Sequence, residues 1–334
     1  SASGVVVVLP HILDPEPWER LTRATTQALN INEETLEHFT QLTATCWRLH
    51  NANQTTTVKQ ILPAFLPQIE AIAQQSSIYQ KKAAEITTQG YLLASFIYTP
   101  GCMKYPLNVG QRYSKLAVQY SEVAQDFSLR VAALQDHGVG AFIAGKTEEA
   151  LETHLRALPF LPFVSPLIQS RLYMSIASAY ATCGKHNDTL ASKYLDLAHQ
   201  AYPRQPEADP SYLYTVSHPV VVHLNDGLTY MDLGRYQDAW DSMENANDII
   251  PKMTVPESLR IEVINLQARA AIGLGDLEAS LTYVEAAREA SAAQGFNLWQ
   301  SEAHEVFQQI QRTWPDEQQV KGVAERFHMG ETSL

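Results

Sequence analysis

Apolar residues recur along this chain at three- and four-residue intervals rather than in alternation, the spacing of helices that bury one face. Leu36, Phe39, Leu42, Cys46 and Leu49 form one such stripe and predict a helix from about Asn32 to Ala52. The same reading predicts helices over Pro15–Leu29, Thr56–Gln74, Tyr79–Tyr98 and Leu107–Ala124. Pro63 and Pro67 fall inside the helix at 56–74, where a kink is expected. A final pair spans Phe296–Trp314 and Asp316–His328, and Glu302, Glu305, Gln308, Gln309 and Gln311 are expected to give it a polar outer face.

Between these ends the pattern repeats. From Gly227, Tyr230 follows at +3, Gly234 at +7, Ala239 at +12, Met243 at +16, Ala246 at +19 and Pro251 at +24. From Gly138 the same offsets give Ala141, Gly145, Ala150, His154, Ala157 and Pro162. Ala268 leads to Ala271, Gly275, Ser280, Val284 and Ala287; Ala177 leads to Tyr180 and Gly184, with Ala191, Leu195, Ala198 and Pro203 two residues late. Small anchors opposite small +12 and +19 positions let two antiparallel helices approach closely, while larger +3 and +16 residues fill the groove beside them. Glycine at +7 ends the first helix in the left-handed conformation, and proline at +24 stops the second. Pro166, Pro219 and Pro256 are read as first helical residues, where a missing N–H costs nothing.

These offsets, with the turn strings Leu233–Trp240 and Ala144–Leu151, resemble the tetratricopeptide repeat (TPR). The anchors lie 39, 50 and 41 residues apart, so the repeats depart from that family's 34-residue period, and Pro203, Pro206 and Pro210 punctuate the widest gap. The resemblance implies an all-α fold: a right-handed superhelical solenoid of antiparallel helix pairs whose concave groove is lined by the first helix of each pair. The expected organisation is an extension or linker over 1–14, one solenoid over 15–328 (irregular helices 15–75, repeats 79–295, terminal pair 296–328) and a tail over 329–334.

Carrying the groove positions onto this chain gives Gln135, Val139 and Phe142; Arg171, Met174 and Ser178; Leu224, Asn225, Leu228 and Met231; and Glu262, Asn265 and Arg269. Asn225 and Asn265 offer both donors and an acceptor, suited to clasping a peptide backbone. Leu228 and Met231 would take apolar side chains. The Lys and Asn clamp of chaperone-binding members is not reproduced, since Gln135, Asp136, Met174, Ser175 and Leu224 stand at the corresponding positions.

Charge narrows the partners. With 24 Lys+Arg against 36 Asp+Glu the net charge is −12, which repels nucleic acid over most of the surface. Cys46, Cys102 and Cys183 show no metal or redox spacing and read as reduced thiols, favouring the cytoplasm. The apolar run Val5–Leu9 is far short of a membrane span. His218 and His223 lie five apart, off one helical face, and no nucleophile elbow or phosphate loop occurs, so neither enzyme, metal nor cofactor is expected.

Long, degenerate repeats after irregular helices are similar to the TPR sensor halves of bacterial XRE-type and RRNPP-like transcription regulators. That resemblance implies a peptide- or ligand-sensing domain with its partner in the groove and an upstream DNA-binding segment. The opening Ser-Ala-Ser-Gly, without methionine, fits either processing or a fragment. The alternative is a constitutive protein-interaction scaffold with no small ligand, forming a homodimer through a terminal repeat.

Overall fold

The structure is a computed structural model that describes residues 32–52, 54–98, 108–215, 218–253, 255–294 and 297–329. The extension at 1–14, the helix expected over Pro15–Leu29 and the break at Thr99–Gly101 lie outside the described residues. Every regular element among the described residues is helical. They form two compact units: one comprises the chain to Leu172 plus Pro203–Val216, the other Tyr173–Tyr202 plus the chain from Ser217.

The first unit holds α1 (Glu33–Asn51), α2 (Thr55–Ala73), α3 (Gln80–Tyr98), α4 (Asn108–Ala124), α5 (Phe127–Ile143), α6 (Thr147–Leu155) and the start of α7 (Pro166–Thr182). Local chemistry sets the starts. Asn32 accepts a hydrogen bond from the Thr35 N–H at 2.8 Å, and Asp126 does the same for Leu129 at 2.9 Å, satisfying N–H groups that have no partner within the helix. Successive helices pack on one another, and α3 also touches α1 and α5. Odd-numbered helices therefore make one layer and even-numbered helices the other. Trp47, Ile69, Leu92 and Leu93 are sealed between them, each large apolar side chain contributing about 1.5–3 kcal/mol by leaving water.

The second unit continues with α8 (Asp188–Ala201) after the C-terminal part of α7. The short turn α9 (Tyr212–Thr215) belongs to the first unit, and the second resumes at α10 (Pro219–Leu233), α11 (Tyr236–Ile249), α12 (Glu257–Leu274), α13 (Leu277–Gln294), α14 (Asn297–Thr313) and α15 (Gln318–Met329). Here α10, α12 and α14 share a layer, since α12 touches both of the others as well as α11 and α13.

The repeat turns fall at the glycines. Gly145, Gly234 and Gly275 have φ of +74°, +75° and +79°, and Gly184 has φ of +128°, values that side-chain-bearing residues rarely adopt. Close packing at the anchors is equally direct. A Cβ at Gly227 would lie 2.6 Å from the Met243 terminal carbon and 2.8 Å from a Leu266 methyl, and one at Gly138 would overlap the His154 ring. The +16 residue of each of these two repeats thus packs onto its own anchor.

Several boundaries differ from the sequence reading. Pro219 is the first helical residue of α10, but Pro256 is the N-cap of α12, which starts at Glu257. The helix α6 ends at Leu155 and gives way to a 3-10 turn, Leu158–Phe163, that contains Pro162. A second such turn, Ile250–Lys252, holds Pro251 after α11. The missing proline N–H is tolerated better by short turns than by a continuing α-helix.

Candidate functional site

The largest departure from a simple array lies at 203–215. Its polar, proline-rich sequence reads as a connecting loop, yet it packs within the first unit, against the layer of first helices. Asp209 anchors it. One carboxylate oxygen accepts from the Leu167 backbone N–H at 3.1 Å, and the other accepts from the Ser211 N–H at 2.9 Å and the Ser211 hydroxyl at 2.7 Å. Burial alone would raise the Asp209 pKa, but these bonds and the Ser165 hydroxyl outweigh it and hold the carboxyl below its ordinary value.

Beyond this anchor the protein grips main chain. The Asn51 amide, at the end of α1, donates to the Leu213 carbonyl at 3.2 Å, and the Arg171 guanidinium donates to the Thr215 carbonyl. Leu213 and Tyr214 pack onto the apolar core of this unit, while Ser211 and Thr215 are almost fully enclosed. Two side-chain donors on backbone carbonyls and two apolar side chains on the core are what holding a short peptide requires.

Arg171 joins this strap to a polar interior. Asp136 on α5 is 8% exposed, and burial pushes its carboxyl up to about 7 against the opposing pull of Ser95 and Arg171. Burial in turn brings Arg171 down to about 10, with Asp136 opposing. The guanidinium carbon lies 6.0 Å from the centre of the Phe96 ring. Gln135 donates to the Arg171 carbonyl at 3.4 Å and offers its own carbonyl to the His154 ring at 3.2 Å. Of the proposed groove residues in this unit, the structure therefore brings Gln135 and Arg171 together. Phe142 and Val139 are half-buried elsewhere on α5.

In the second unit the predicted residues separate by environment. Met174 is 3% exposed and fills core between Ala198 and Val222. Leu224 is core as well, with Leu228 and Met231 partly buried around it. The Ser178 hydroxyl is 3.2 Å from that of Thr229. Asn225 turns its amide back on its own helix, donating to the Val221 carbonyl at 2.8 Å.

Glu262, Asn265 and Arg269 gather into one cluster with Glu302 of α14. The Asn265 amide donates to a Glu302 oxygen at 3.3 Å. Burial, then the charge of Glu302, pushes the Glu262 carboxyl up to about 7. Glu302 is also raised, chiefly by burial; Arg269 and the Asn265 bond oppose that, and Glu305 adds to it. Glu302 thus departs from the solvated outer face expected of it, because its α-helix turns it toward α12. Asp232 of α10 is raised by burial, and Arg269 and a hydrogen bond from Thr182 offset this.

Sequence reasoning missed Asn51, Asp136, Asp226 and Glu302 as site members. Asp226 is 5% exposed, 2.6 Å from the His199 Nε2 and 3.7 Å from the His223 Nδ1. Residue spacing alone could have paired His223 with Asp226, one helical turn apart, but not with His199 on α8. Among the described residues no group of three or more His, Cys, Asp or Glu is placed to hold a metal ion, and no helix is long and apolar enough to cross a membrane.

Fold and site together define an all-α protein of stacked antiparallel helix pairs, with polar clusters on its first helices. No protein-family description matches the chain, and no curated protein matches it. Among solved structures it is similar to a chain of the APC/C hetero-tetramer Cut9-Hcn1, at 14% identity and a TM-score of 0.43. That match covers 82% of this chain and 51% of the other, so this chain spans about half its length. At that level the likeness adds nothing to what the helices themselves establish.

Proposed function

We propose that this chain is a TPR-like peptide-binding domain, the ligand-sensing regulatory part of a bacterial transcription regulator. The observation that carries the binding role is the 203–215 strap. Asn51 and Arg171 take hold of main-chain carbonyls, which every peptide presents, while Leu213 and Tyr214 pack against the core. A layer of first helices that holds one stretch of its own chain in this way has the chemistry to hold a foreign one. The second unit supports the reading with an analogous layer whose partly buried Leu228 and Met231 lie on the same helix as Asn225. The regulatory role rests on the repeat turns, whose spacing resembles sensor domains of that class, and on an acidic charge that leaves DNA contact to another segment.

The test replaces residues 203–217 by a Gly/Ser linker of equal length and adds the natural segment back as a labelled peptide. Saturable binding, weakened about fivefold by Asn51→Ala as expected for loss of one hydrogen bond, supports the reading. Absence of binding to a folded linker variant removes its main support. For the sensing role, thermal-shift screening against short hydrophobic peptides should find a ligand whose effect Asn225→Ala reduces.

A further inference from the structure

The cluster on α12 and α14 is short of positive charge. Glu262, Asn265 and Arg269 follow one another at one-turn intervals on α12, and Glu302 comes from α14. The ionisable groups that act on it are Asp232 from α10, Glu262 and Arg269 from α12, and Glu302 and Glu305 from α14. Arg269 acts on Asp232 and Glu302, whereas the only charge acting on Glu262 is that of Glu302. Two partly buried glutamates whose charges act on one another repel unless a proton or another cation joins them.

A second observation points to which cation. Asn265 is 0% exposed, and its amide nitrogen is fixed by Glu302. That bond places the amide head beside the Glu302 carboxyl and one turn along α12 from Glu262, and its Oδ1 has no hydrogen-bond partner. A buried carbonyl without a donor costs about 1–3 kcal/mol, so a donor is owed to this position. Carboxylates at Glu262 and Glu302 and the Asn265 Oδ1 are three acceptors. A primary ammonium brings three rotatable donors and one charge in a compact head, a closer match than a planar guanidinium.

We propose that Glu262, Asn265 and Glu302 form a subsite for the ammonium of a lysine carried by a peptide lying on α10, α12 and α14. The inference rests on the reading of this layer as a peptide-binding face and deepens it by naming the side chain selected. The proton and the ammonium compete for the same carboxylates, so affinity for the lysine falls as pH drops through about 7.

Fluorescence polarisation on the full chain tests this with labelled Ac-Ala-Leu-Lys-Leu-Ala-amide, its norleucine counterpart, which keeps the length and loses the charge, and its arginine counterpart. At pH 8 the lysine peptide is expected to bind at least about tenfold more tightly than the norleucine peptide, with arginine between them. The advantage should shrink severalfold at pH 5.5 and vanish in the Glu262→Gln/Glu302→Gln variant, whose neutral isosteres keep the fold. Equal binding of lysine and norleucine peptides overturns the subsite and leaves the peptide-binding face standing. Lysine preference that survives in the double variant overturns it too, by placing the cation elsewhere. Binding of none of the peptides overturns the subsite together with the peptide-binding reading of this face.

Discussion

Replacing Glu262 by glutamine should stabilise the protein, by an amount that grows as pH rises from about 4.5 to 7 and is constant above that. Burial and the charge of Glu302 lift the Glu262 carboxyl from near 4.5 to about 7. Below pH 4.5 the side chain is protonated whether the chain is folded or unfolded. Between 4.5 and 7 the folded chain retains a proton that the unfolded chain has released, so stability falls as pH rises. Above 7 the full penalty is present. A carboxyl held about that far above its ordinary value costs at most about 3 kcal/mol, and about 1–2 kcal/mol once the solvent contact Glu262 retains is counted. Glutamine has the same shape and no charge, so Glu262→Gln removes the penalty without opening a cavity. Urea unfolding followed by circular dichroism at pH 4 and pH 8.5 measures it. Glu262→Gln should match wild type within about 0.5 kcal/mol at pH 4 and exceed it by about 1–2 kcal/mol at pH 8.5. An equal increment at both pH values would refute the account, because a gain that ignores protonation cannot come from the carboxylate.

Two further tests address packing and the histidines. Gly138→Ala drives a methyl into the His154 ring, which also hydrogen-bonds the Gln135 carbonyl, and should cost about 1–3 kcal/mol in thermal unfolding; an unchanged Tm would show that α5 and α6 are not packed this closely. His199, raised first by its Asp226 hydrogen bond, and His223, lowered first by burial with His199 adding to it, should titrate on opposite sides of 6.5 in NMR. The stability from the His199–Asp226 bond is full below 6.5 and lost as pH climbs through the raised His199 pKa, and Asp226→Asn should bring His199 down. Two histidines titrating together would contradict the pairing.

The repeats were legible because their constraints are local. A turn that needs positive φ selects glycine, and a close helix approach selects a residue without a Cβ, so Gly145, Gly234, Gly138 and Gly227 announce themselves in sequence. Asn265 was found by the same logic, as a polar residue at a first-helix position. Its partner was not, because Glu302 is 37 residues away and a glutamate on a terminal helix reads as solvated. The strap was missed for a different reason. Nothing in Pro203–Pro210 periodicity indicates burial; what holds it is Asp209 capping α7 at Leu167, and Asn51, 162 residues away from Leu213. Long-range side-chain bonds to backbone carry no residue signature on the receiving side, since every residue has a carbonyl. Met174 shows the converse: helical spacing finds the layer, but whether a side chain points to core or surface depends on the neighbouring helices.

The strap also bears on the order in which the chain is made. The first unit is assembled from residues up to Leu172 and from Pro203–Val216, and Tyr173–Tyr202 is synthesised in between. A ribosome therefore releases α1 to α6 well before the residues that Asn51 and Arg171 grip. During that interval Asp136 and Arg171 have each other but not the Thr215 carbonyl, and the seats of Leu213 and Tyr214 are bare. A polypeptide cut off between Leu172 and Leu213 would stay in that unfinished state, so such a fragment reports on an intermediate of synthesis rather than on a free-standing domain.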